Sequence, residues 1–210
     1  MNKEEKFEWK EIIWLFVFGC FIGYVLEQSF YIIKYHEYVS KQGLLYGPFK
    51  PIYGFGALLF TWIYYSIKSK AKTKYFVIGV VIGSVFEYFS SWLIEVIFHS
   101  YVWDYSEMSL NINGRIYLPY CIVWGIISLL WATVVYPFFK KKFNKYKEKK
   151  YFNIVTIIVT IFMILNCLIT WTVLLKETCI SKNSKFYKIV DKVYPNGVVS
   201  KKFPKFRTME

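Results

Sequence analysis

Three glutamates stand inside stretches that are otherwise apolar: Glu27, Glu87 and Glu95. A carboxylate at membrane depth is costly unless it is paired, protonated or hydrated. No lysine or arginine falls deep within those stretches to neutralise them. Two chemistries fit such groups. They can form a site for a cation, a proton or a cationic organic group. They can also act as structural glue, as protonated acids bonded across a helix bundle to Ser, Thr or Tyr. On the third apolar stretch, Ser84, Glu87, Ser91, Glu95 and His99 recur every three or four residues, so they share one helix face. Metal chemistry has no support. Cys20, Cys121 and Cys167 lie in apolar runs and Cys179 in a tail, with no ligand spacing among them, so no metal and no cofactor is expected.

The elements that carry these carboxylates are marked by glycines. Gly19, Gly23 and Glu27 fall at i, i+4 and i+8, and so do Gly79, Gly83 and Glu87. Small residues at that spacing let two helix backbones approach closely. The spacing predicts that the first and third helices cross at these four glycines. The segments 16–27 and 76–87 match at seven of twelve positions. The match resumes downstream, where Gly43 to Pro48 parallels Gly114 to Pro119 and Tyr53-Gly54 parallels Trp124-Gly125. The offset grows from 60 to 71, so the second copy carries eleven extra residues. This patterning predicts a parallel repeat of two-helix units, with a pseudo-axis along the membrane normal. The two equivalent glutamates would approach that axis from opposite sides. Repeat interfaces are where transporters tend to place their sites.

Composition agrees. The 210 residues are 56% hydrophobic and 22% aromatic, with a formal net charge of +13. The charge alone would suit nucleic acid, but the long apolar runs exclude a nucleic-acid binder and a soluble enzyme alike. Five spans are expected, at about 12–33, 49–67, 75–98, 118–139 and 152–175, each helical because lipid offers the backbone no partner. The fold class is therefore all-α, a polytopic membrane bundle over residues 1–175, followed by a basic tail over 176–210. Segments 1–11, 68–74 and 140–151 hold 14 lysines, whereas loops 34–48 and 99–117 hold only Lys34, Lys41 and Arg115. The positive-inside rule then puts the N-terminus in the cytoplasm and, after five spans, the C-terminus outside.

The extra residues of the second copy fall in the segment 99–117, with Trp103-Asp104-Tyr105-Ser106 and Asn111-Ile112-Asn113-Gly114-Arg115. Asp, Ser, Asn and Gly favour tight, side-chain-capped turns. Asp104 is the expected partner of Arg115. The loop reads either as a turn-plus-ion-pair lid or as a gate to a substrate, with Trp103, Asp104, Asn113 and Arg115 as its working residues.

Taken in order, GLLYGPFKPIYGFGALL, FEYFSSWLIEVIF, WDYS and NINGRIYLPYCIVWG resemble the type IV ABC-transporter permease family, the CmpB-like membrane proteins. The resemblance covers about residues 12 to 140. It implies a transport component of a bacterial plasma membrane. The residues it carries over are Tyr46, Gly47, Pro48, Pro51, Tyr53, Gly54, Glu87, Glu95, Trp103, Asp104, Asn113, Gly114 and Arg115. The chain holds no GxxxxGK[ST] loop for ATP, so an ABC role requires a separate ATPase subunit. Four or five helices make a thin wall around a pathway, which favours a homodimer. The expected partners are thus the lipid bilayer, an ATPase and a second copy, and no nucleic acid. Competing functions are an intramembrane enzyme acting on lipid or isoprenoid groups, for which no HExxH or GxSxG motif is present, and a structural or regulatory membrane protein.

Overall fold

The structure, a computed structural model, describes residues 8–67, 69 and 71–208. The lysines at 3, 6, 68 and 70 that enter the charge count lie outside the described residues. The molecule is an all-α bundle with, among the described residues, four helices long and apolar enough to cross a membrane. These are α1 (Trp9–Tyr35), α3 (Lys72–Phe98), a continuous rod Leu118–Tyr146, and α6 (Lys150–Thr178). At about 1.5 Å per residue each is roughly 40 Å long, more than the ~30 Å of hydrocarbon. The second expected span is shorter. Helix α2 (Pro51–Ile67) has 17 residues, because the chain leaving α1 returns towards the bundle as a non-helical segment, residues 36–50, before α2 begins.

Local chemistry sets these boundaries. Helix α1 stops at His36 and α3 at His99, both in the left-handed region, and each cap N–H bonds back four residues, to Ile32 and Glu95. Pro51 opens α2, where a missing N–H is not needed. The rod joins α4 (Leu118–Leu130) to α5 (Tyr136–Tyr146) through one π turn, Trp131–Val135, in which the Tyr136 N–H bonds the Trp131 carbonyl. Pro137 explains the widening. Its ring has no N–H and crowds the preceding turn, and the extra residue relieves that crowding without breaking the helix.

Packing runs in two antiparallel pairs, α1 with α2 and α3 with α4. The glycines form the seams within these pairs, not an α1–α3 crossing. A Cβ on Gly19 would lie 2.6 Å from Ala57 Cβ, and one on Gly23 would lie 2.1 Å from the Tyr53 ring. A Cβ on Gly79 would lie 2.2 Å from Ser128 Cβ, and one on Gly83 would lie 2.6 Å from Trp124 Cβ. The spacing rule is right about close approach and wrong about the partner. The helix that follows in sequence is already antiparallel and adjacent, so it takes the groove first.

At the N-terminal end of α1, an aromatic core of Phe60, Trp131, Tyr136, Phe139, Phe143 and Phe152 joins the pairs to α5 and α6. Glu11 is fully buried there, and its carboxylate accepts from Tyr136 Oη at 2.9 Å and from Lys140 Nζ at 2.6 Å. At the opposite end, short strands β1 (Ser100–Tyr101) and β4 (Arg207–Thr208) pair antiparallel. This places the end of α3 and the chain beyond α6 at the same end of the bundle. Strands β2 (Asn111–Ile112) and β3 (Ile116–Tyr117) make a small hairpin just before α4. Between α6 and β4 lie two short helices, α7 (Lys185–Val193) and α8 (Val198–Lys202).

Candidate functional site

Glu27 and Glu87 each sit one turn beyond a glycine seam, and each is met by an aromatic donor from the neighbouring helix. Tyr53 Oη, on the first turn of α2, donates to Glu27 Oε2 at 3.1 Å. Trp124 Nε1, on α4, donates to Glu87 Oε2 at 2.7 Å. The geometry follows from the seams. Tyr53 lies against Gly23 and Trp124 lies against Gly83. With no side chain in the way, each aromatic side chain packs directly on the glycine and its polar edge reaches the glutamate one turn on.

The two carboxylates differ in what else they meet. Glu27 is paired with Lys50, the last residue before α2. The backbone N–H of Lys50 bonds the Cys20 carbonyl on α1, so the cation is delivered by the returning loop and not by a helix. Glu87 is only 6% exposed. It makes no ion pair among the described residues. Its second donor is Tyr105 Oη, 3.2 Å from Oε1. Burial, reinforced by the Glu87 carboxylate, holds the Tyr105 hydroxyl above its ordinary value, so it remains a proton donor. Tyr53 and Tyr105 each lie within electrostatic reach of both carboxylates. Glu27 and Glu87 thus each have their own aromatic donors.

The loop 99–117 delivers Tyr105, and the residues singled out in it hold it in place. Asp104 Oδ1 accepts from the Ser106 hydroxyl at 2.6 Å and from the Ser106 N–H at 2.9 Å, closing a turn around Tyr105. Those bonds hold the Asp104 carboxyl below its usual range. Asn113 Nδ2 donates to Tyr88 Oη at 3.0 Å, and Trp103 Nε1 donates to the Arg115 carbonyl at 3.0 Å. Arg115 pairs with Glu95 and not with Asp104. Asp104 is spent on its own turn, whereas Glu95, on the last turn of α3, faces the returning hairpin. Gly114 carries a φ of +66°, and a Cβ there would lie 2.4 Å from Ser106 Oγ, so glycine is required where the hairpin crosses the Asp104 turn.

Sequence reasoning missed Tyr105, Trp124 and a second set of residues beneath the first loop. Asn166 and Thr170, one turn apart on α6, are buried. Asn166 Oδ1 accepts from the Tyr46 N–H at 3.2 Å and its Nδ2 donates to the Tyr46 carbonyl at 2.7 Å, while Thr170 Oγ1 accepts from the Leu45 N–H at 3.0 Å. Gln28 bonds the same loop through the Lys41 N–H and the Val39 carbonyl. Non-helical backbone at helix depth is tolerated only where protein satisfies it, and these side chains do so. An Asn and a Thr four residues apart in an apolar run was the signal available. Tyr46, Pro48 and Gly47 lie in this tethered loop, and Tyr46 Oη also meets Tyr194 Oη at 2.8 Å.

Long apolar helices, buried carboxylates with aromatic donors and loops folded back among the helices define a multi-pass membrane protein with a polar site inside the bundle. The chain belongs to the family described as "Putative ABC-transporter type IV", whose model matches residues 14–171, three quarters of the chain. No curated protein and no solved structure matches the chain. Family membership and the long apolar helices support a membrane transport, permease-like role, and the family implies residence in a lipid bilayer and work with an ATPase subunit.

Proposed function

We propose that this chain is the membrane-spanning subunit of a bacterial transport system, and that Glu87 is the group that engages a proton or a cationic cargo. One observation carries the reading. Of the three intramembrane glutamates, Glu27 and Glu95 each have a basic partner of their own, Lys50 and Arg115. Glu87 is buried with two neutral donors instead. A carboxylate in that position must be held as the acid or neutralised by something that comes and goes. Its surroundings suit a cation. The Tyr105 ring lies 5.4 Å from Tyr120, and Phe60 and Phe86 flank Trp124 at 5.9 and 6.3 Å. Aromatic faces stabilise cations where water is scarce. Glu27, with its fixed lysine, keeps Tyr53 in place.

An internal repeat underlies the site. Phe16 and Cys20 close on Gly54, as Phe76 and Val80 close on Gly125. Ala57 meets Gly19 as Ser128 meets Gly79. Each of these pairs falls at the sequence offsets of 60 and 71. In this reading α2 completes a fifth crossing, and energy comes from a separate ATPase.

Dicyclohexylcarbodiimide, which modifies protonated carboxyls in apolar surroundings, tests the role of Glu87. The wild-type protein in native membranes should be labelled on Glu87 in preference to Glu27 and Glu95, with labelling falling as pH rises or a permeant organic cation is added. Glu87→Gln should remain expressed and lose the label. Labelling of Glu27 at an equal rate, or none at Glu87 at any pH, would remove Glu87 from this role.

A further inference from the structure

We propose that α7 lies in the membrane interface and, with α6, forms a binding site for an anionic phospholipid of the surrounding leaflet. Helix α7 is amphipathic in three sectors. Tyr187 and Asp191 face the bundle. Phe186, Ile189 and Val193 form an exposed apolar stripe, with Val193 68% exposed. Lys185, Lys188 and Lys192 are exposed on a third face. A helix with that division lies flat at a bilayer surface, its apolar side in the acyl region and its lysines at the headgroups.

The helix is fixed at the height that this requires. Lys176, on the last turn of α6, is fully buried beneath α7. Its Nζ donates to Asp191 Oδ1 at 2.6 Å and to the Tyr194 carbonyl at 2.9 Å, and lies 4.9 Å from the Tyr187 ring centre. That clamp holds α7 where α6 leaves the apolar layer. Between the two helices runs an apolar groove of about 260 Å³, lined by Leu168, Ile169 and Thr172 of α6 and Ile189, Val190 and Val193 of α7. The groove adjoins exposed apolar side chains one to two turns earlier on α6, Ile161, Ile164 and Leu165. An acyl chain can therefore enter it sideways from the bilayer. The lysines on the adjoining face supply the charge that a headgroup phosphate needs. Groove and lysines together select an anionic lipid over a zwitterionic one.

The full chain in nanodiscs of mixed phosphatidylglycerol and phosphatidylcholine gives the test, read by native mass spectrometry after transfer to detergent. The wild type should retain phosphatidylglycerol in preference to phosphatidylcholine. Replacing Lys185, Lys188 and Lys192 together by Gln should reduce phosphatidylglycerol retention by about tenfold or more, since each lysine near an anionic surface adds about a fivefold gain. Unchanged retention in that variant would overturn the proposal. A second readout does not rely on the lysines. Spin labels at positions 186, 189 and 193 should be relaxed by oxygen more than by a water-soluble nickel chelate, and labels at 185, 188 and 192 the reverse. Nickel access along the apolar stripe, or dipolar coupling between labels of two copies there, would show water or a second copy in place of lipid and would sink the idea.

Discussion

At the scale of single residues, the site turns on which carboxylates have already been answered. Glu27 and Glu95 were singled out together with Glu87 because all three stand in apolar runs, and sequence spacing could not separate them. The separation comes from Lys50 and Arg115, which lie 23 and 20 positions away and reach back from loops. A search for cations within the helices passes over both. Tyr105 was hidden for the same reason, since a loop tyrosine acquires a role only when the loop folds onto α3. Asp104 offers a sharp test of that loop. Its folded pKa lies below the ordinary 3.8 because Ser106 donates to its ionised form. The contribution to stability is therefore present above about pH 4 and is lost as the pH falls through the folded value. Amide protection over residues 103–115, corrected for the intrinsic exchange rate, should fall on acidification below pH 4. In Asp104→Asn that protection should be low already at neutral pH and much less dependent on acid. Equal protection in the two proteins at pH 7 would mean that Ser106 holds the turn without the charge.

Among the elements, the glycine seams are the most exacting feature. A methyl group at Gly19 would meet both Ala57 Cβ at 2.6 Å and the Tyr53 carbonyl at 2.7 Å, and at Gly83 it would press into Trp124. Overpacking of this kind costs about 1–3 kcal/mol. Gly56 is the internal control. It is also buried in α2, yet a Cβ there would meet only Phe86 Cε1, at 3.9 Å. Gly19→Ala and Gly83→Ala should lower the thermal midpoint in detergent, whereas Gly56→Ala should hold it or raise it slightly, because alanine is the better helix former by about 0.5–1 kcal/mol. A uniform response of the three variants would mean that the seams are not tight. Helices α1, α3 and α6 were legible in sequence to within three residues at each end, because apolar length is a one-dimensional property, whereas the rod runs seven residues past the expected 139 on the lysine-rich turns of α5. The partner of each glycine face was not legible. The i, i+4 pattern states that something approaches, and only connectivity decides that α2 and α4 arrive before α3 or α1. The start of α2 at Pro51 was legible to two residues, but what holds the loop before it was not. Its backbone is tied by Asn166 and Thr170, more than a hundred positions downstream.

For the molecule as a whole, the pairing of β1 with β4 bears on topology. It puts the segment after α3 and the segment after α6 at one end, as two crossings between them, the rod and α6, require. The pairing is the same in either orientation, so the side of the N-terminus rests on the lysine asymmetry alone. Single cysteines at Ser69 and Ser109, in a chain otherwise free of cysteine, should respond oppositely to an impermeant maleimide on intact cells, with 109 labelled and 69 protected. The opposite labelling would invert the molecule. The same strand pair also sets an order of events during biosynthesis. Arg207 emerges from the ribosome 106 residues after Tyr101, the residue that it pairs with. Until then the backbone edge of β1 has no partner, although α3 and α4 are already inserted. Strand β1, at the root of the loop that carries Tyr105, is therefore paired only after α6 has been made, so a subunit halted before Arg207 would hold its helices and its Asp104 turn while that strand edge stayed open.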